Sequence, residues 1–217
     1  MLWKKDGSGL IAVSPDGSAK SLSRAKNFEV TGSWPPLPDP ARRSDPAVQL
    51  QFLPDGRQVA EMGESGTIRF RDAASGKVLR QVNGPRNMAP GARSHRILRS
   101  WAALDATASH AALFDFASSA TVVTDTVTGR SRTIAGGDVD GIAFAGNRLL
   151  VQRKSGRLEI WTASGDQRLD TIEGTPDTNV GPAVGGRDII AEKPGDDTAQ
   201  LVDLRSGHAL GTIRLPA

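Results

Sequence analysis

The sequence of 217 residues contains no cysteine and no tyrosine. Without cysteine the chain cannot form a disulfide, a thiolate nucleophile or a cysteine-ligated zinc site. Its three histidines, His95, His110 and His208, are scattered along the chain, whereas the ligands of structural metal sites recur at short spacings. The sequence therefore predicts no metal and no cofactor, and side-chain packing must hold the core together.

Aromatic residues are scarce, at 5% of the chain, and the excess of positive charge is small, at +3. A protein that binds nucleic acid typically clusters lysine and arginine with aromatic side chains on one face. This composition does not provide such a face. We therefore expect no nucleic-acid partner.

Long hydrophobic runs are also missing, since no segment approaches the ~18 apolar residues of a membrane span. The first residues, MLWKKDGSG, carry charges where a signal peptide has its apolar region. We expect a cytoplasmic protein that does not associate with membranes. The 38% of hydrophobic residues suffice for the core of one sizeable all-β domain or of two small ones.

Catalytic motifs are not evident either. The stretch DVDG at 138–141 places two carboxylates one residue apart, but a calcium loop of the EF-hand kind needs further ligands and a distal glutamate. The start of a strand explains this stretch better. The sequence has no Gly-x-Ser-x-Gly and no His-Glu-x-x-His, so we predict no catalytic residues.

What the chain does have is a repeat. In FLPDGRQVAEMGESGTIRFRD, Gly56 and Gly66 mark two turns ten residues apart. Similar pairs occur four more times, the last with a turn longer by about one residue. The first-turn positions of the five units are Gly7, Gly56, Ser109, Gly146 and Gly186.

Each unit reads as short strands of alternating or uniformly apolar residues, separated by Asp, Gly, Ser and Pro. In TIRFRD, Ile68 and Phe70 share one face while Arg69 and Arg71 share the other, which predicts a half-buried strand. Four antiparallel strands at a period near forty residues are typical of β-propeller blades. We therefore predict an all-β propeller, a single domain over 1–217, with about five four-stranded blades at 1–33, 47–83, 97–135, 138–174 and 178–216 and inserts at 31–46 and 83–96.

The repeats resemble bacterial WD40-like propellers, on the evidence of FLPDGR at the first turn, ESGTIRFRD across the second and DAASGKVLRQV at the end of the unit. They depart from that family, since no unit keeps its Gly-His dipeptide at the start of the repeat and Trp161 is followed by Thr162 instead of aspartate. The family's His, Asp and Trp network therefore cannot be transferred to this chain. A quinoprotein-type propeller, whose turns look similar, stays open as an alternative.

The first unit has three residues before its first turn, so its innermost strand is expected to be incomplete. Two interpretations stay open: the chain is the C-terminal part of a larger propeller, or it is a closed five-bladed ring with one frayed strand. An open strand edge attracts another strand. The first interpretation therefore predicts that the rest of the propeller, or a second copy of the chain, pairs with the first blade.

The two inserts suggest where a partner binds. Trp34, followed by two prolines, would be a rigid apolar anchor, and a set of arginines would form its charged rim. That set comprises Arg42, Arg43, Arg86, Arg93, Arg96 and Arg99. The alternative is a purely structural role, in which Trp34 packs onto the blades and the arginines are solvated.

These observations favour a non-catalytic scaffold or sensor module that binds a protein or peptide on the loop face. The alternative is a propeller enzyme, or a module for sugars or other small molecules, with its site at the channel mouth. The resemblance adds that bacterial WD40-like arrays are often C-terminal domains of kinases, proteases or NTPases.

Overall fold

The computed structural model describes residues 2–4, 6–14, 18–35, 45, 47–63, 65–84, 101–173, 179–182, 188–192, 198–204 and 208–214. The chain divides into two compact units, which we call unit 1 (Met1–Pro90) and unit 2 (Gly91–Ala217). Each unit is described by itself.

Unit 1 contains two antiparallel sheets among its described residues, each with its strands in chain order. A short 3-10 helix, Arg24–Lys26, links the third strand to the fourth. The strands of the first sheet are β1 (Leu2–Trp3), β2 (Gly9–Val13), β3 (Ala19–Ser23) and β4 (Glu29–Trp34), and those of the second are β5 (Ala47–Phe52), β6 (Gln58–Gly63), β7 (Thr67–Asp72) and β8 (Val78–Asn83).

Unit 2 contains three further sheets of the same kind in the part of the chain that the structure describes. The third sheet consists of β9 (Ala102–Leu104), β10 (His110–Asp115), β11 (Ala120–Asp125) and β12 (Ser131–Gly136). The fourth consists of β13 (Val139–Ala145), β14 (Arg148–Arg153), β15 (Leu158–Thr162) and β16 (Arg168–Ile172). The fifth consists of β17 (Asn179–Pro182), β18 (Asp188–Glu192), β19 (Thr198–Asp203) and β20 (Ala209–Arg214).

The all-β class and the four-stranded antiparallel sheets are therefore confirmed. The described residues contain no α-helix. The arrangement of the sheets as blades of a propeller, and the single domain over the whole chain, stay predictions.

The turns explain why the repeat is visible in the sequence. Gly7 and Gly56 both have φ of 69°, a left-handed conformation that glycine adopts without a steric penalty. The third sheet departs from the predicted alignment. There Ala108, with φ of 54°, takes the left-handed position, and its N–H donates to the carbonyl of Asp105 as that of Gly56 does to Leu53. The choice of Ser109 for this position was wrong by one residue.

The turn after the third strand also recurs, with an aspartate at its start in the second and third sheets. The N–H of Gly76 donates to the carbonyl of Asp72, and that of Gly129 to the carbonyl of Asp125, both at 2.8 Å. The carboxylate of Asp72 accepts the N–H of Ser75 at 2.7 Å, and that of Asp125 accepts the N–H of Val127 at 2.8 Å. These aspartates stabilise their own turns.

A register shift also recurs in the sheets, and the sequence did not predict it. In each of the five described sheets the pairing of the outermost strand shifts register, which indicates a β-bulge or a similar irregularity. In four sheets the shift precedes the same position of the repeat. Those positions are Leu22, Arg71, Trp161 and Val202.

The cores lie between neighbouring sheets of each unit. In unit 1, Ile11, Trp34 and Val59 are buried together, with Leu50 and Phe52 packed against them. One cluster of unit 2 joins the third and fourth sheets, with Trp101 and Trp161 packed against it. Another joins the fourth and fifth sheets through Ile160 and Val202.

Candidate functional site

Trp34, the predicted anchor for a partner, is the last residue of β4 and is only 3% exposed. Its indole N–H donates to the carbonyl of Ala73 at 3.2 Å. The guanidinium of Arg71 lies over its ring, 4.6 Å from the centroid. An anchor must be accessible to its partner, so Trp34 cannot serve as one in this structure. It is a core residue of unit 1.

The predicted charged rim, Arg42, Arg43, Arg86, Arg93, Arg96 and Arg99, lies outside the described residues. Its role in binding a partner stays a prediction. Near the end of the first insert, Asp45 is described, and it is buried. Its carboxylate accepts the N–H of Ser65 at 2.6 Å and a hydrogen bond from Arg69 at 3.0 Å. This end of the insert is therefore fixed to the turn between β6 and β7.

A buried ion network continues from Asp45 through unit 1. Arg69 lies opposite Glu61 in the sheet, and its Nη1 is 3.7 Å from Oε1 of Glu61. Nη1 of Arg71 donates to Oε2 of the same glutamate at 3.3 Å. Nε of Arg71 donates to the carbonyl of Gly76 at 2.7 Å. Two arginines thus balance two carboxylates in the core.

The network corrects the prediction that TIRFRD is half-buried. Arg71 and Glu61 have no exposed surface, and Ile68 and Phe70 on the other face are equally buried. Burial, followed by the charge of Arg69, lowers the pKa of Arg71 to about 10. Arg71 therefore stays protonated at neutral pH. Its partners make it a structural ion, since a buried charge without a partner is strongly destabilising.

Unit 2 has a related cluster in the fourth sheet. Arg153 donates from Nη2 to both carboxylate oxygens of Glu159, each at 3.0 Å. The indole N–H of Trp161 donates to Oε2 of Glu159 at 3.2 Å, and Nη1 of Arg153 donates to the carbonyl of Gly136. These bonds satisfy Glu159 within the fold.

Ser109, His110 and Asp105 form a cluster at the first turn of the third sheet. Oδ2 of Asp105 accepts hydrogen bonds from Ser109 Oγ at 2.8 Å and from the backbone N–H of His110 at 3.1 Å. Both Asp105 Oδ2 and Ser109 Oγ contact Nδ1 of His110, at 2.9 and 3.1 Å. In a catalytic triad the serine and the carboxylate contact opposite nitrogens of the ring. This cluster therefore lacks the geometry that activates a serine.

The same cluster controls the ionisation of Asp105. Burial acts to raise the pKa of Asp105, but hydrogen bonds from His110, Ser109 and Thr107 together hold that pKa below its ordinary value. The carboxylate stays charged and accepts the backbone N–H groups of Thr107 and Ser109 at 3.0 and 2.9 Å. Asp105 thus keeps Ala108 in its left-handed conformation.

A cleft of about 500 Å³ opens in unit 1. Three turns form it: those between β1 and β2, between β5 and β6, and between β7 and β8. Ile11 and Phe52 line its apolar part. Its other lining residues are Lys4, Asp6, Pro54, Asp55, Gly56, Ala73 and Ala74.

Over the described residues, no group of three or more histidines or carboxylates is arranged to hold a metal ion. Within the same residues, no helix has the length and apolar character needed to cross a membrane. No protein-family model matches this chain, and no curated protein matches it.

Sequence reasoning missed the ion network and the cleft. One signal for the network was present: Glu61 interrupts the apolar strand VAEMG, and a charge inside such a strand calls for a partner. The cleft left no local signal, because its lining comes from three separate turns.

Proposed function

We propose that the chain is a non-catalytic binding module, built as a WD40-like β-propeller of five blades, that holds a protein or peptide partner on loops between the blades. The observation that carries the proposal is the recurrence of one unit. Each described sheet has four antiparallel strands in chain order, and four sheets shift register before the same position. Repeated four-stranded sheets are the unit of propellers, which commonly act as scaffolds.

The chemistry of the described polar clusters supports a non-catalytic role. Glu61 and Glu159 are engaged by arginines, and Asp105 caps a turn. A catalytic group needs a free position for the reacting atom. These carboxylates are instead committed to the fold.

The partner surface that we propose is formed by the inserts at 31–46 and 83–96. Arginine is favoured at the charged edge of protein interfaces, and the inserts carry Arg42, Arg43, Arg86, Arg93 and Arg96, with Arg99 just beyond. Trp34 supports this surface indirectly, since its burial fixes the first residues of the first insert. Asp45 fixes the chain where that insert ends.

The test compares charge reversals at matched sites. The tagged chain is used to capture partners from a lysate, and the captured protein is then purified and titrated against each variant. The two variants are Arg93→Glu/Arg96→Glu and Arg24→Glu/Arg130→Glu. We expect the first variant to lose the partner and the second, at exposed arginines outside the inserts, to keep it. Both should keep the wild-type melting temperature. Retention of the partner by the first variant would refute the insert surface.

A further inference from the structure

The cleft of unit 1 lies at one end of its two sheets. Asp6 belongs to the turn after β1, Asp55 to the turn after β5, and Ala73 and Ala74 to the turn after β7. Asp45 and Ser65, which mark the end of the first insert, lie by the turn between β6 and β7, at the other end of the strands. The cleft and the contact between Asp45 and Ser65 therefore lie at opposite ends of the strands.

The floor of the cleft is apolar and rigid. Ile11 is 1% exposed and belongs to the core cluster of unit 1, and Phe52 and Ala73 pack against that cluster. The carbonyl of Ala73 is held by the indole of Trp34. Such a floor is formed before any ligand arrives, as is usual for binding clefts of this size.

The rim of the cleft carries two carboxylates held in fixed positions. Oδ1 of Asp6 accepts the N–H of Ser8, and Oδ1 of Asp55 accepts the N–H of Arg57, both at 2.9 Å. Hydrogen bonds from Ser8 hold the pKa of Asp6 below its ordinary value. Among the described lining residues Lys4 is the one cation, so two carboxylates against one ammonium leave a net negative rim.

We propose that this cleft binds a short peptide segment in which a lysine or arginine pairs with Asp6 and Asp55 while a neighbouring apolar side chain packs on Phe52 and Pro54. Charge complementarity selects this ligand, because the negative rim attracts a cation and repels phosphate. An extended segment fits a volume of about 500 Å³, whereas a folded domain does not. The site goes beyond the proposed function, since none of its lining residues belongs to the inserts.

The test begins with selection of random heptapeptides on the immobilised full chain, followed by fluorescence anisotropy with the selected peptides. Three variants are compared with the wild type. Asp6→Asn/Asp55→Asn removes the charges but leaves an oxygen for each turn, and Ala74→Trp fills the cleft. Asp115→Asn/Asp125→Asn is the matched control, because these aspartates cap turns of unit 2 in the same way, through the N–H two residues on.

We expect the selected peptides to place lysine or arginine beside an apolar residue. Their affinity should fall about tenfold for Asp6→Asn/Asp55→Asn, since a hydrogen bond to a charged group is lost. It should fall by about as much for Ala74→Trp, which fills the cleft. It should be unchanged for the control and for Arg93→Glu/Arg96→Glu, which separates this site from the insert surface. The proposal would be overturned if the selected peptides lacked basic residues or if they bound the cleft variants as tightly as the wild type. It would also be overturned if selection on the wild type enriched no peptides relative to selection on Ala74→Trp.

Discussion

Unit 1 and unit 2 each bury a glutamate against arginine side chains, but water reaches those arginines to different extents. The side chains of Arg71 and Arg69 beside Glu61 are 0% and 10% exposed. Those of Arg153 and Arg168 beside Glu159 are 13% and 54% exposed. A charge that water can reach is less dependent on its partner.

The tryptophans of the two clusters show the same difference. Trp34 covers Arg71 with its ring and directs its N–H to the backbone of Ala73. Trp161 instead donates its N–H to the carboxylate of Glu159. One indole seals the cation from water, whereas the other adds a hydrogen bond to the anion. Similar residues thus build a closed ion network in unit 1 and a partly open one in unit 2.

The largest expected effect comes from removing the two glutamates. Glu61→Ala leaves Arg71 charged in a dry core and should cost about 3–5 kcal/mol of unfolding free energy. Glu159→Ala should cost about 2 kcal/mol, because water can reach Arg153 and Arg168, whose side chains are 13% and 54% exposed. Urea unfolding at pH 7, followed by tryptophan fluorescence, measures both.

Glu173→Ala is the control for these variants. Glu173 forms an exposed pair with Arg157, so its removal should change the free energy of unfolding by less than about 1 kcal/mol. Equal losses for Glu61→Ala and Glu159→Ala would contradict the contrast between closed and open clusters.

The next effect is expected at the turns after the third strands. Gly76 and Gly129 have φ of 71° and 72°, so an alanine at either site should cost about 1–2 kcal/mol for the left-handed backbone. A Cβ at Gly76 would also overlap the indole of Trp34, whereas the space around Gly129 is open. Gly76→Ala should therefore cost a further ~1–3 kcal/mol from overpacking.

Thermal and urea unfolding of the two alanine variants separates the cost of the overlap with Trp34 from the cost of the left-handed backbone. If Gly76→Ala and Gly129→Ala lose the same free energy, Trp34 is not packed against this turn and the closed network of unit 1 is wrong.

The smallest effect concerns acid. The pKa of Asp105 in the folded protein lies below 3.8, the ordinary value for aspartate. Its carboxylate therefore contributes stability that is fully present above about pH 4 and is lost as the pH falls through the folded pKa. Asp105→Asn should lower the urea midpoint at pH 7, and the gap to the wild type should narrow below pH 4.

The exposed Asp170→Asn is the control for the acid series, measured at pH 7, 4, 3 and 2. A gap between wild type and Asp105→Asn that stays constant from pH 7 to pH 2 would show that the hydrogen bonds of the cluster do not favour the charged carboxylate.

The sequence predicted those features that depend on neighbouring residues. Gly56 and Asp72 mark turns whose hydrogen bonds close within six residues, so their spacing predicted the strands between them. The left-handed backbone of Ala108 could not be predicted, because alanine carries no sequence signal for that conformation. The side chain of Asp105 stabilises that turn, and Ser109 was predicted at the position that Ala108 occupies.

Features that depend on distant residues were not predictable in the same way. The alternation in TIRFRD correctly separates Ile68 from Arg69, but it does not indicate that a second surface covers the arginines. That cover comes from Trp34 and Asp45, more than twenty residues earlier in the chain. For the same reason Trp34 was expected to be an exposed anchor.

The central proposal is that the repeated sheets form one propeller, and small-angle X-ray scattering of the purified chain tests it most directly. A compact monomer of 217 residues should have a radius of gyration of about 17 Å and a single maximum in its distance distribution. A clearly larger radius with two maxima would mean that units 1 and 2 are separate bodies, and it would contradict the propeller.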